Sequence, residues 1–254
     1  MPERPVERRR ILITGASSGL GAGMAREFAA RGHDLALCAR RATRLEQLQA
    51  ELAHRYPTVR VLTRPLDVND HGAVFEVFDA FDAELGGLDR IVVNAGLGKG
   101  QPIGTGRFDA NVQTANTNFI GALAQCEAAM QIFRAAGRGH LVVISSVAGL
   151  RGGRGNLTTY SASKAGVAAL AEGIRSDVMG SDIVVTTIFP GYIESEMTAR
   201  AKRTPFLAPA DKGARALVEA IEREPAKAVV PAWPWRPIAR AMRLAPLRLA
   251  RRIG

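Results

Sequence analysis

Arg10-Ile11-Leu12-Ile13-Thr14-Gly15-Ala16-Ser17-Ser18-Gly19-Leu20-Gly21 delivers a short apolar run straight into a glycine cluster, and a helical-period segment, 20–31, follows. Glycines at such a junction let the backbone turn tightly and let a phosphate approach it. The helix behind offers unpaired N–H groups and its positive end to the anion. Any turn uses glycine, so the strand before and the helix after carry the weight of a nucleotide reading. The spacing Gly15-x-x-x-Gly19-x-Gly21 departs from the commonest dinucleotide fingerprint. The Gly-Lys-Ser/Thr of a P-loop is missing, which argues against an ATPase.

Outward from this stretch the same alternation continues. Apolar runs at Asp34–Cys38, Val59–Thr63, Arg90–Val93, His140–Ser145, Ile183–Ile188 and Ala228–Val230 are rich in Val, Ile and Leu, as strands buried on both faces are. Between them the periodicity predicts helices near 42–56, 70–85, 108–136, 159–179 and 210–223. That order predicts an α/β fold, a Rossmann-like doubly wound, mostly parallel sheet of seven strands with helices on both faces. No solenoid repeat or long linker interrupts it. One domain, 1–232, is expected, with a basic amphipathic extension at 233–254.

Composition narrows the class. With 254 residues and 47% of them hydrophobic, the chain can bury one large core, which excludes fibrous and disordered classes. Two cysteines, Cys38 and Cys126, make no disulfide framework. The histidines (His33, His54, His71, His140) lack ligand spacing, so no metal site is expected. No export signal or membrane-spanning run is visible, and the expected location is the cytoplasm.

The net charge of +10 has an address: Pro225 to Gly254 holds seven basic residues and no acidic one. In that tail Trp233-Pro234-Trp235 precedes a segment with Ile238, Met242, Ala245 and Leu249 on one side and Arg236, Arg240, Arg243 and Arg251 on the other. Such a helix can lie on the inner, anionic face of a membrane as a peripheral contact, or pack on its own domain or a second subunit. Nucleic acid is not expected, since no reader motif accompanies the patch.

The second strand ends in Arg40 and Arg41, where an acidic residue would bind a ribose 2′-hydroxyl. Two guanidiniums there suit a 2′-phosphate and favour NADP(H); the alternative is a solvated turn. Further along, Asn94-Ala95-Gly96 closes the fourth strand, Ser145-Ser146 closes the fifth, and Tyr160-Ser161-Ala162-Ser163-Lys164 opens a helix. Together with the Thr14–Gly21 opening, this set resembles the short-chain dehydrogenase/reductase family in its classical form, over roughly 8–232.

Tyr160 and Lys164 are i, i+4 partners on one helical face. An adjacent ammonium is expected to lower the phenol from its ordinary value of about 10, so that Tyr160 gives a proton to a carbonyl or takes one from an alcohol. Ser146 would polarise the same oxygen; it lies 14 positions before Tyr160, which leaves Ser145 as a competitor. The resemblance implies further that Lys164 holds the nicotinamide ribose and that Asn118, followed by Gly121, relays a proton to it through water. Gly15, Ser17, Ser18, Gly19, Leu20 and Gly21 would cradle the cofactor. Asp67 and Val68 would meet its adenine, and Asn94, Ala95, Gly96, Pro190, Gly191, Ile193 and Ser195 would line the rest.

Substrate would lie between the Gly191–Asp211 loop and the turns after Gly96 and Gly149. Met197, Phe206 and Leu207 there suggest an apolar, acyl or lipid-like carbonyl compound. Lys99, Arg151, Arg154, Arg200, Lys202 and Arg203 either meet an anionic head on it or are solvated loop charges. The resemblance implies an oxidoreductase, which Arg40 and Arg41 make NADPH-dependent, and a homo-oligomer packed through the 108–136 and 159–179 helices. The rival from another class is a non-catalytic NADP(H)-binding regulator or scaffold on the same fold.

Overall fold

A computed structural model describes residues 8–201 and 203–248. Seven strands, β1 (Arg10–Thr14), β2 (Asp34–Ala39), β3 (Val61–Pro65), β4 (Arg90–Val93), β5 (Arg138–Ile144), β6 (Asp182–Pro190) and β7 (Lys227–Val230), form one sheet. Its order is β3-β2-β1-β4-β5-β6-β7, and every pairing is parallel. The strand order reverses between β1 and β4, which opens a crevice at their carboxyl ends.

Period-two alternation explains why the runs look uniformly apolar. Along β1, Ile11 and Ile13 enter the core layer under α1 (Gly19–Ala30), α2 (Ala42–Arg55) and α7 (Ala210–Glu222). Leu12 between them enters the opposite layer, under α3 (His71–Leu85), α5 (Gly121–Ala136) and α6 (Thr158–Asp177). A strand that feeds two cores has no polar face to show. β3 lies two residues later than the run suggested, because Val61 pairs with Leu35, while Val59 is buried ahead of the strand. As an edge strand, β3 tolerates Pro65 at its end.

The expected helix 108–136 is two helices. α4 (Phe108–Ala115) passes into a π-turn, Asn116–Ile120, before α5 begins at Gly121. The widened turn presents buried Asn118, at 1% exposure, and such turns gather at functional sites. Gly121 is required there: a Cβ on it would lie 2.9 Å from the Val68 carbonyl oxygen.

The extension folds into α8 (Trp235–Leu244), which lies on its own domain. Trp235 and Ala239 are buried, with Trp235 packed among Val147, Phe189, Tyr192 and Ile238. Arg151 Nη1 donates to the carbonyls of Met242 and Arg243 at 3.4 and 3.3 Å, which closes the last turn. Arg236, Arg240 and Arg243 face outward. The expected partners Leu249 and Arg251 lie outside the described residues.

Toward the strand starts, a buried polar network ties the sheet together. Glu224 Oε1 accepts from Arg8 Nε and from Arg90 Nη2, each at 3.1 Å. Arg90 Nε donates to His140 Nδ1 at 2.8 Å, so the ring proton sits on Nε2, which is 2.9 Å from Thr186 Oγ1. Thr186 in turn donates to the Pro225 carbonyl at 2.8 Å. His140 is fully buried, and burial with the Arg90 and Arg8 charges holds it well below the ordinary histidine range.

Candidate active site

The crevice begins with a seam between β1 and β4. Thr14 Oγ1 accepts from the N–H groups of Asn94 and Ala95, both at 3.0 Å, and Asn94 Nδ2 donates to the Thr14 carbonyl at 2.8 Å. Above it the glycines have steric reasons. Gly15 has φ +65°, and a Cβ on it would lie 2.9 Å from Ala95 Cα; a side chain on Gly21 would collide with the Gly15 carbonyl. Ser18 caps α1 in extended conformation without a side-chain bond to the helix N–H groups, and the first turn holds no acid. The α1 N–H groups therefore remain available, and the cradle has the shape and polarity for a dinucleotide pyrophosphate.

At the end of β2, Arg41 donates Nε to Ser17 Oγ at 3.2 Å and Nη2 to Ser18 Oγ. Arg40 is exposed and has no ion pair among the described residues, so the two arginines are separated in role. Past β3, Val68 is buried, and Asp67 Oδ1 accepts from the Asn69 backbone at 3.0 Å and side chain at 2.8 Å.

At the end of β5 the two serines part. Ser145 is buried and donates to the Lys164 carbonyl at 2.7 Å. Ser146 accepts from Ala148 N at 3.1 Å and hydrogen-bonds the Tyr160 phenol, so Ser146 is the hydroxyl brought to the tyrosine. Burial raises the Tyr160 phenol above its ordinary value, Ser146 lowers it, and Tyr192 nearby raises it. Lys164 is 5% exposed, and its Nζ donates to the Ile144 carbonyl at 2.8 Å. Burial pulls this amine down to about 8. The expected ammonium effect on the phenol is thus not what the free protein has. The lysine reaches down to the end of β5 and has no counterion among the described residues, and dehydration weakens its hold on the proton.

Asn118 stands beside this amine. The open Cβ position of Gly96 lies 3.2 Å from Asn118 Oδ1 and 3.5 Å from Lys164 Nζ. The Asn118 amide grips the Leu97 peptide from both sides, accepting from its N–H at 2.8 Å and donating to its carbonyl at 2.9 Å. It also donates to Ser163 Oγ at 3.2 Å. The side chain is fully engaged in holding the turn after β4 against α6.

Beyond β6, Gly191 leaves room for the Trp235 indole, and Ile193 is buried against Gly213. Ser195 Oγ accepts from Thr198 N at 3.2 Å, which shapes the loop that continues toward α7. The Tyr192 and Phe206 rings flank Trp235 at 5.6 and 6.1 Å, and Met197 Sδ lies 3.6 Å from the open side of Gly98. Of the substrate-side cations, Arg151 is taken by α8, and Lys99 donates to Gln113 at 3.3 Å. Lys202 lies outside the described residues. Sequence reasoning quoted Thr14 in the opening motif and Trp235 in the tail without giving either a place at the site, and gave none to Tyr192 or Glu196.

Known proteins agree with this geometry. The short chain dehydrogenase model matches residues 9–205. An uncharacterized oxidoreductase of Mycobacterium tuberculosis is 54% identical over 249 residues, 98% of each chain. The 11-beta-hydroxysteroid dehydrogenase 1A of Arabidopsis thaliana is 36% identical over 195 residues, 74% of this chain and 53% of that protein. Among solved structures, levodione reductase superposes with a TM-score of 0.79 at 27% identity, over 88% of this chain and 95% of its own. With that sheet, that seam and that match, the chain belongs to the short-chain dehydrogenase/reductase family of oxidoreductases, whose fold binds a nicotinamide cofactor.

Proposed function

We propose that this chain is an NADP(H)-dependent enzyme that interconverts a ketone or aldehyde and an alcohol on an apolar, acyl or lipid-like substrate. The observation that carries the reading is the Tyr160 phenol bonded to Ser146 at the crevice, one helical turn from the buried Lys164 amine. A phenol raised above its ordinary value keeps its proton at neutral pH, which suits a donor to a carbonyl oxygen and favours reduction. Ser146 offers its hydroxyl to the same oxygen and polarises it. Lys164, near 8, is close enough to neutrality to return a proton toward Tyr160. Asn118 is a positioning group here, fixing Leu97 and Ser163 around that amine. A bound nicotinamide supplies or accepts the hydride.

The Gly15–Gly21 turn would hold the pyrophosphate over α1, and Arg41, with Arg40 beside it, would meet a 2′-phosphate. Asp67 and Val68 would meet the adenine, and Asn94, Ala95, Gly96, Pro190, Gly191, Ile193 and Ser195 would line the rest of the cofactor. The apolar character of the substrate is supported by Met197, Phe206 and Leu207, which are 42–61% exposed around the mouth. A homo-oligomer is supported by Phe108, Ile120 and Leu123, apolar side chains left exposed on the helices 108–136.

No helix among the described residues is long and apolar enough to cross a membrane. The outward arginines of α8 suit an anionic membrane surface; co-sedimentation with anionic vesicles, full-length chain against 1–232, tests that contact and ends it if the two behave alike. The enzymatic reading is tested by a screen of carbonyl compounds with NADPH and with NADH, with Tyr160→Phe as the blank. Oxidation of NADPH by the parent and not by the variant is expected. Equal turnover by both would remove Tyr160 as the proton donor, and no turnover with any compound would favour the regulator or scaffold.

A further inference from the structure

The loop after β6 is folded down over the glycine-rich turn. Ser195 Cβ lies 3.3 Å from the position a Cβ would take on Gly19. One residue on, the Glu196 carboxylate reaches across to the end of β2, to partners more than 150 positions earlier in the chain. Arg41 Nη1 donates to Glu196 Oε2 at 3.0 Å and to Oε1 at 3.3 Å, and Arg44 Nη1 pairs with Oε1. Since Arg41 also donates Nε to Ser17 and Nη2 to Ser18, every nitrogen of its guanidinium is engaged. The two arginines hold the Glu196 carboxyl down to about 2, so it is an anion at any working pH.

A 2′-phosphate presented at the end of β2 would need the edge of Arg41 that Glu196 holds. Two anions cannot both take that edge without direct repulsion between them. A cofactor with a free 2′-hydroxyl makes no such demand and leaves the carboxylate where it is. We propose that Glu196 is a cofactor-discriminating residue: its carboxylate competes with a 2′-phosphate for Arg41 and Arg44, so the phosphorylated cofactor must displace it and the unphosphorylated one need not. This rests on the reading of Arg41 as the phosphate partner. The pair is half-exposed, so the competition is worth a small factor and sets a preference without forbidding either cofactor. Displacement also frees the 191–210 loop from its tie to α2, so the incoming phosphate and the loop over the substrate mouth are coupled through one carboxylate.

Calorimetric titration with adenosine 2′,5′-bisphosphate and with adenosine 5′-monophosphate isolates this end of the cofactor. The full chain would be compared with Glu196→Gln, with Glu196→Asp, and with Glu194→Gln as a neighbouring-charge control. Glu196→Gln is expected to bind the bisphosphate roughly two- to fivefold more tightly with the monophosphate unchanged, Glu196→Asp to fall between, and Glu194→Gln to change neither. Equal changes for both ligands, no change, or weaker bisphosphate binding in Glu196→Gln would each overturn the proposal. If the parent itself binds the two fragments alike, the phosphate role of Arg41 fails and the proposal goes with it. If the parent prefers the bisphosphate and Glu196→Gln leaves that preference intact, only the role of Glu196 fails.

Discussion

Where the strands begin, the Arg8 and Arg90 guanidiniums meet Glu224, Arg90 also meets His140, and the chain of donors ends on a carbonyl through Thr186. Where the strands end, Lys164 is equally buried but donates to a backbone carbonyl and meets no carboxylate among the described residues, and the first turn of α1 is left without a side-chain cap. Both rims bury charge. One satisfies it internally and so serves to hold β1, β4, β5 and β6 in register; the other leaves the polar groups short of partners, which is what the proposed function uses. The difference separates what holds the fold from what is open to chemistry.

The contrast breaks most readily at Tyr160. Removing the phenolic oxygen in Tyr160→Phe should cost roughly 10²–10⁴-fold in kcat with NADPH, while thermal melting stays near that of the parent. At the opposite rim, Glu224→Gln should do the reverse. It leaves the buried Arg8 and Arg90 without their anion, costs about 3 kcal/mol, and lowers Tm by roughly 6–12 °C. Cofactor affinity, read by fluorescence titration, should not move.

Two pH experiments sharpen the same comparison. The Lys164 amine is near 8 in the folded protein against 10.5 for the free group, so between those values the unfolded chain holds more protons. Stability from this group therefore rises with pH from 8 to 10.5, by about 3 kcal/mol in all. Urea unfolding of the parent minus that of Lys164→Met should show that rise, and a flat difference would mean the amine keeps its proton when buried. His140 gives a smaller, acid-side effect. Its folded value is also depressed, so stability is present above pH 6.5 and is lost as the unfolded chain takes up a proton below it. Although Glu224 Oε1 lies 3.3 Å from Nδ1, burial and the two guanidiniums prevail. A loss of about 2 kcal/mol between pH 6.5 and 5 is expected, and His140→Gln should flatten part of that slope; His33, shifted in the same direction by burial, keeps the remainder.

Much of this was legible without coordinates. The alternation of strands and helices follows from period, and the grouping of a Ser145-Ser146 hydroxyl with Tyr160 and Lys164 from motifs that resemble a known family. Less legible were the π-turn at 116–120, because five residues are too few to show a period of their own, and the start of β3, which its pairing with β2 fixes. The choice between Ser145 and Ser146 needed the direction of each hydroxyl.

The amino-acid order alone determined the parallel sheet, the glycine cradle and the identity of the groups at the crevice, because backbone turns and amphipathic periods are local properties of a few neighbouring residues. Tertiary structure decided the rest. It turned the tail inward onto Gly191 and Val147, separated Arg41 from Arg40 by giving one of them Glu196, and raised the phenol that sequence reasoning expected to be lowered. Each of those outcomes depends on how much water is removed from a group and which distant charge takes its place, and neither quantity is carried by spacing along the chain.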